Sequence, residues 1–139
     1  MKFLHLNFLP RSVDFALLAL RLWFGLSMLF LHGWGKLAGF ADLAPKFANP
    51  FGLGSTFSLV LTIFAEVVCA AMIAVGAFTR FAALVLGANM FVAFWMVHGH
   101  RLTGTGNGEL AFLFLGAFVT LFCTGAGKFS VDAQIGART

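Results

Sequence analysis

Four long apolar runs, at residues 13–37, 57–78, 80–97 and 109–124, limit what this chain can fold into. A helix needs roughly 20 apolar residues, within a range of about 17 to 25, to cross the hydrocarbon of a bilayer. In lipid, every backbone N–H and C=O must be satisfied within the chain, so only helices or closed barrels span it. The runs are continuous and lack the two-residue alternation of barrel strands. The expected fold class is therefore all-α: an integral membrane four-helix bundle, as one domain over residues 1–139. The last run is the shortest. Composition excludes a soluble alternative. Hydrophobic residues make up 60% of the chain and charged residues 10%, against about 25% charged in soluble domains. Nineteen Phe and three Trp, with no Tyr, suit contact with the lipid bilayer, the first partner expected.

The connections differ in character. Residues 39–56 contain Pro45, Asn49 and Pro50 and read as a true loop with room for a short interfacial helix. Thr79-Arg80 reads as a tight turn. Residues 98–108 carry Gly99, Gly104, Gly106 and Gly108 and read as a flexible loop. Lys2 and Arg11 precede an apolar run, as in a signal peptide. The following His32-Gly33-Trp34-Gly35-Lys36 is no small-residue cleavage site, so a retained first helix is expected. The net charge is +4, but the basic residues are scattered singly, which argues against a nucleic-acid partner. Four spans put both termini on one side. That side holds five basic residues (Lys2, Arg11, Arg80, Lys128, Arg138) against three (Lys36, Lys46, Arg101) on the other, which favours cytoplasmic termini.

Ionisable residues inside a span cost about 2.5 to 3.5 kcal/mol near its centre, so they face the bundle interior and seek partners. Arg21, Gly25, Met28, His32 and Lys36 recur at spacings of 4, 3, 4 and 4 and form one helical stripe. Gly25 and Gly35, on or beside it, would admit a close neighbouring helix. Glu66 and Asn89 lie near the middle of their spans, with Arg21 a few residues from the same depth. The expectation is a buried polar pair of Arg21 and Glu66, with Asn89 close by. A second layer, His32, Lys36, His98, His100 and Glu109, comes from three helix ends and forms a candidate ligand or proton pocket. The competing structural readings are an ion pair that only sets helix register and histidines bonded to loop backbone.

No metal-ligand spacing is present, and no residue is assigned a catalytic role. His98 and His100 would point to opposite sides of a continuing helix, which disfavours a ligand role shared by the two; haem ligation by His32 with one of them is the less favoured alternative. The two cysteines, Cys69 and Cys123, form no CxxC and read as small apolar fillers. Trp34 and Trp95 read as interfacial anchors.

Several of these residues together resemble the DoxX family. Leu20-Arg21-Leu22 through Leu31-His32-Gly33-Trp34-Gly35-Lys36-Leu37 is similar to its first-helix signature. Phe64-Ala65-Glu66 followed by Gly76-Ala77-Phe78-Thr79-Arg80 looks like its second helix and turn. Val97-His98, Glu109 and the ending Thr124-Gly125-Ala126-Gly127-Lys128-Phe129-Ser130-Val131-Asp132 also fit. Ala126 departs from the Pro common in that ending. The resemblance implies a four-helix bundle in a bacterial inner (plasma) membrane, with links to quinone-linked sulfur oxidation and to oxidative-stress assemblies.

Two functions follow as expectations. One is a redox-associated membrane subunit that handles a quinone near the outer His and Lys groups, as a non-autonomous part of an oxidoreductase. The other is a non-catalytic anchor or assembly factor. A small-molecule transporter fits less well, because four short helices leave little room for alternating access. No flavin, nucleotide or iron–sulfur motif is present in the sequence, so any electron carrier must come from a ligand or from a protein partner in a redox complex; the sequence leaves the cofactor unassigned, and a quinone is the candidate that suits the first reading. A homo-oligomer is also consistent with the sequence.

Overall fold

The computed structural model describes residues 12–136. Ser12 opens the first helix: its hydroxyl accepts the Phe15 N–H at 3.2 Å, and Asp14 adds negative charge to the first turn. Helix α1 is Val13–Ala38, followed by a short α2, Phe40–Leu43, in the loop. Helices α3, Ser55–Val75, and α4, Thr79–Val97, follow. Helix α5 is Glu109–Thr124 and α6 is Val131–Gly136. No strand occurs among the described residues. Helices α1, α3 and α4 are each long and apolar enough to cross a membrane, and α5 is a shorter apolar helix. The chain is a multi-pass, all-helical membrane protein.

Helix α1 packs on α3, α3 on α4, α4 on α5, and α5 returns to α1. Met28, Ile73, Leu86, Phe114, Phe118 and Leu121 form much of the shared core. One end of the bundle, here the terminal end, holds the start of α1, the α3–α4 turn and the tail. The loop end holds residues 39–54 and 98–108.

Small residues set the α1–α3 contact. A Cβ added to Gly33 would lie 2.5 Å from the Glu66 carbonyl oxygen, and one on Gly25 would lie 3.0 Å from Ala70 O and Ala74 N. The backbones therefore meet at Gly25 and Gly33. Gly35, expected at this contact, has nothing within 4 Å of such a Cβ. It lies on an exposed side of the helix, because the π-helical segment Met28–Gly33 turns the α1 face relative to a regular helix.

The α3–α4 turn falls earlier than the sequence pattern suggests. Gly76 adopts φ 73°, and the N–H groups of Gly76 and Ala77 both donate to Met72 O at 2.9 Å. This left-handed C-terminal cap stops α3 at Val75, so Thr79 and Arg80 open α4 instead of forming a turn. The first N–H groups of α4 are satisfied from the tail: Phe78 N and Thr79 N donate to the Asp132 carboxylate at 2.7 and 2.9 Å. Asp132 N donates in return to Gly76 O at 2.9 Å.

Residues that bring two backbones together tolerate no added atom. Gly33→Ala is expected to destabilise the bundle by about 1–3 kcal/mol through overpacking, whereas Gly35→Ala leaves it unchanged. Thermal melts of the two variants in one detergent check this, and equal melting temperatures would contradict the packing described.

Candidate functional site

The loop-end half of the bundle holds a half-open cavity of about 870 Å³ with contributions from α1, α3, α4, α5 and the 39–54 loop. Its walls are largely apolar and include Met28, Phe47, Phe51, Phe64 and Phe114. Its polar lining is concentrated on His32, Lys36, Thr62, Glu66, Asn89 and His98. Three of the helices become π-helical at this level: Met28–Gly33, Phe64–Cys69 and Ala93–Val97. Such segments are costly in a regular helix and concentrate at functional sites. Here they carry the cavity-lining residues His32, Glu66 and Val97.

Glu66 is the centre of the polar group. It is only 4% exposed. Its Oε2 accepts from Lys36 Nζ at 2.5 Å, and its Oε1 accepts from Asn89 Nδ2 at 3.2 Å. Lys36 Nζ also lies 3.5 Å from His32 O. Thr62 donates its hydroxyl to Ser58 O at 2.9 Å and lies 3.5 Å from Asn89 Oδ1. The ammonium has three protons and the amide two. After these bonds, both groups keep a donor to offer a ligand. The His32 ring stands edge-on to Phe114, with centroids 5.5 Å apart.

Glu66 therefore pairs with Lys36, and the expected Arg21–Glu66 pair does not form. The reason is depth. Glu66 lies level with Gly33 on α1, which it touches. Gly33 is twelve residues beyond Arg21, about 18 Å at 1.5 Å per residue. Direction compounds this, because helical side chains lean toward their own N-terminus. Lys36 leans down toward Glu66, Glu66 on antiparallel α3 leans up toward Lys36, and Arg21 leans away from both.

Arg21 belongs to the terminal end instead. It is fully buried, and its Nη2 donates to the carbonyl of Phe129 in the tail. Its guanidinium packs over Gly76, where a Cβ would fall within 1.6 Å of Nη1. Its Nε and Nη1 have no hydrogen-bond partner among the described residues. Lys128 N donates to Asp14 Oδ1 at 2.9 Å and fastens the tail to α1. The roles of Phe129 and Asp132 escaped the sequence reading. The signal was a polar, glycine-bearing ending that no apolar span needs.

The outer histidine layer divides. His32, Lys36 and His98 line the cavity. The His98 Nδ1 lies 2.9 Å from Gly106 O. The carbonyl can only accept, so Nδ1 carries a proton. His100 does not line the cavity. It is exposed, adopts φ 50°, and stacks obliquely on Trp95 at 5.3 Å. Glu109 is also exposed, at the start of α5, where its N–H donates to Asn107 Oδ1 at 3.1 Å. The helix α4 ends at Val97, and the positive-φ residues Gly99 and His100 turn the chain outward, which separates these two from the cavity. Cys69 is buried and Cys123 exposed, and both are free thiols.

A family model for DoxX matches residues 16–99. The chain belongs to the DoxX family. The match covers α1, α3 and α4, and with them His32, Lys36, Glu66, Asn89 and His98. The DoxX-like features seen at Glu109 and in residues 124–132 lie outside the matched stretch. No curated protein and no solved structure matches the chain.

If Lys36 and Glu66 are true partners, their substitutions must couple. Breaking a buried pair from one side costs about 3–5 kcal/mol. Lys36→Met and Glu66→Gln are each expected to lower stability, and the double variant to lose at least about 1 kcal/mol less than their sum. Arg21→Met and Glu66→Gln, more than 10 Å apart, should add within about 0.5 kcal/mol. Denaturation curves of the wild type and the five variants give both coupling energies.

Proposed function

We propose that this DoxX protein is a redox-associated subunit of the bacterial inner membrane that holds a quinone in its loop-end cavity. The observation that carries the reading is an apolar, Phe-walled chamber with an ammonium and a carboxamide on one polar wall. Ligand sites are commonly mostly apolar, with a few placed polar groups that fix orientation. A quinone ring needs apolar walls for its faces and donors for its carbonyl oxygens. Lys36 and Asn89 supply donors, and their remaining protons are free for this use. Reduction of a quinone also consumes protons. Glu66 and His32, both on the cavity wall, are groups able to pass them. Electrons would arrive from a partner protein in a redox complex.

A second reading has one observation in its favour. Lys36 and Glu66 neutralise each other, so the cluster also serves a non-catalytic anchor whose polar groups only hold helices in register. The two readings separate on binding. A tail-less benzoquinone is expected to raise the melting temperature of the wild-type protein in nanodiscs, and Lys36→Met to lose that rise. Protein gently extracted in its own lipids is expected to release a quinone in roughly molar proportion. A preparation without quinone and without a thermal response would leave the anchor.

Both termini are proposed to be cytoplasmic. Lys36 is turned into the bundle and paired, which leaves Lys46 and Arg101 at the loop end against five basic residues at the other. In intact cells, a membrane-impermeant maleimide should label Asn49→Cys and spare Gln134→Cys. The opposite pattern would invert the topology.

A further inference from the structure

A second apolar depression, of about 310 Å³, runs between α4 and α5 on the outside of the bundle. Gly87 and Phe91 line it from α4, and Leu115, Val119 and Phe122 from α5. It is recessed on the α4 side because that helix presents Ala83, Gly87 and Ala88 there. A Cβ on Gly87 would come no closer than 3.9 Å to any neighbour. The depression and the cavity share two residues, Ala88 and Val92. Ala88 is exposed, and its side chain is a single methyl. A low saddle is therefore what separates the polar chamber from a groove that faces the acyl chains. From Val92 to Ala83 the groove extends along ten residues of α4, about 13 Å.

We infer that the ligand of the cavity carries a hydrocarbon tail that leaves over Ala88 and lies in the α4–α5 groove. This rests on the reading of the cavity as a ligand chamber, and it adds a tail subsite that the polar cluster alone does not define. The groove and the chamber share Ala88 and Val92 in their walls, so only these two side chains stand between them. The polar wall of Lys36, Glu66 and Asn89 fixes the head. A tail leaving through the loop end would pass His98 and Asn107 and enter the polar region. Leaving over Ala88 keeps it at the depth of the acyl chains. Lipid is as apolar as the groove, so the tail gains little affinity by moving from one to the other. The groove therefore sets the route and the tail length accepted more than the strength of binding. Filling the groove should exclude long-tailed ligands and leave short ones unaffected.

The test uses full-length protein in phosphatidylethanolamine–phosphatidylglycerol nanodiscs. The probe is a benzoquinone with a decyl tail that ends in a photoreactive diazirine, and the competitor is tail-less benzoquinone. The expected result is a photo-adduct on Leu115, Val119 or Phe122 that the competitor abolishes by taking the head's place in the chamber. Val119→Trp, which fills the groove at a residue outside the chamber lining, should lose the adducts on Leu115 and Phe122 and keep the thermal shift with tail-less quinone. Adducts on residues 47–53 would overturn the route. So would groove adducts that the competitor fails to displace, since these would mark ordinary bilayer contact or a second copy of the chain. The wild-type competition stands whether or not Val119→Trp folds. A wild-type protein that shows no thermal shift with the tail-less quinone is a separate outcome, which removes the chamber reading and the tail route with it.

Discussion

A carboxylate held out of water inside a membrane protein must have a cation, and the arrangement of the loop-end half follows from how Glu66 obtains one. An uncompensated buried charge costs several kcal/mol. Lys36 meets this need from the last turns of α1, and Asn89 completes the carboxylate from α4. One side chain thus ties three helices at a single level. Gly33 makes the tie short, because the absence of a Cβ lets α1 rest on the Glu66 backbone. The same polar group forms a wall of the cavity, so the interaction that secures the helices also leaves donors facing an apolar chamber.

The two ends of the bundle solve the burial of charge in different ways. At the loop end, Lys36 and Glu66 pair side chain to side chain. At the terminal end, Arg21 is answered by a backbone carbonyl, and Asp132 is spent on the open N–H groups of α4. The second solution needs the tail. Residues 127–132 bind Asp14, Arg21 and the α3–α4 turn, and so fold back on three elements that the apolar pattern alone would leave unconnected. The tail acts as a strap for the terminal end, and the cavity lies beyond its reach at the other end.

The helices were legible because an apolar run has one solution in lipid: α4 and α5 occupy nearly the spans that hydropathy marks. The inward stripe on α1 was legible from its period, and Arg21, Gly25 and Met28 are buried along it. What hydropathy cannot convey is the vertical offset between neighbouring helices. Aligning the span centres puts Arg21 near Glu66, but the Gly33 contact puts Lys36 there. The lean of helical side chains toward their own N-termini would have favoured Lys36 and disfavoured Arg21 from sequence alone. The fate of His100 and Glu109 was not legible, since it depends on where α4 stops and how the positive-φ residues behind it turn. The strap formed by Phe129 and Asp132 had only an indirect trace, a polar ending after the last span.

The most direct test is a distance between two named atoms in the membrane. Solid-state NMR on protein in lipid, with ¹⁵N in the lysine and arginine side chains and ¹³C in the glutamate carboxyl groups, measures which cation Glu66 holds. Lys36→Met and Arg21→Met serve to assign the signals. A strong dipolar coupling of the Glu66 carboxyl to a lysine ammonium is expected, one that disappears in Lys36→Met and survives in Arg21→Met. A coupling to a guanidinium that disappears in Arg21→Met would contradict it, and would move the polar centre of the protein to the other end of the bundle.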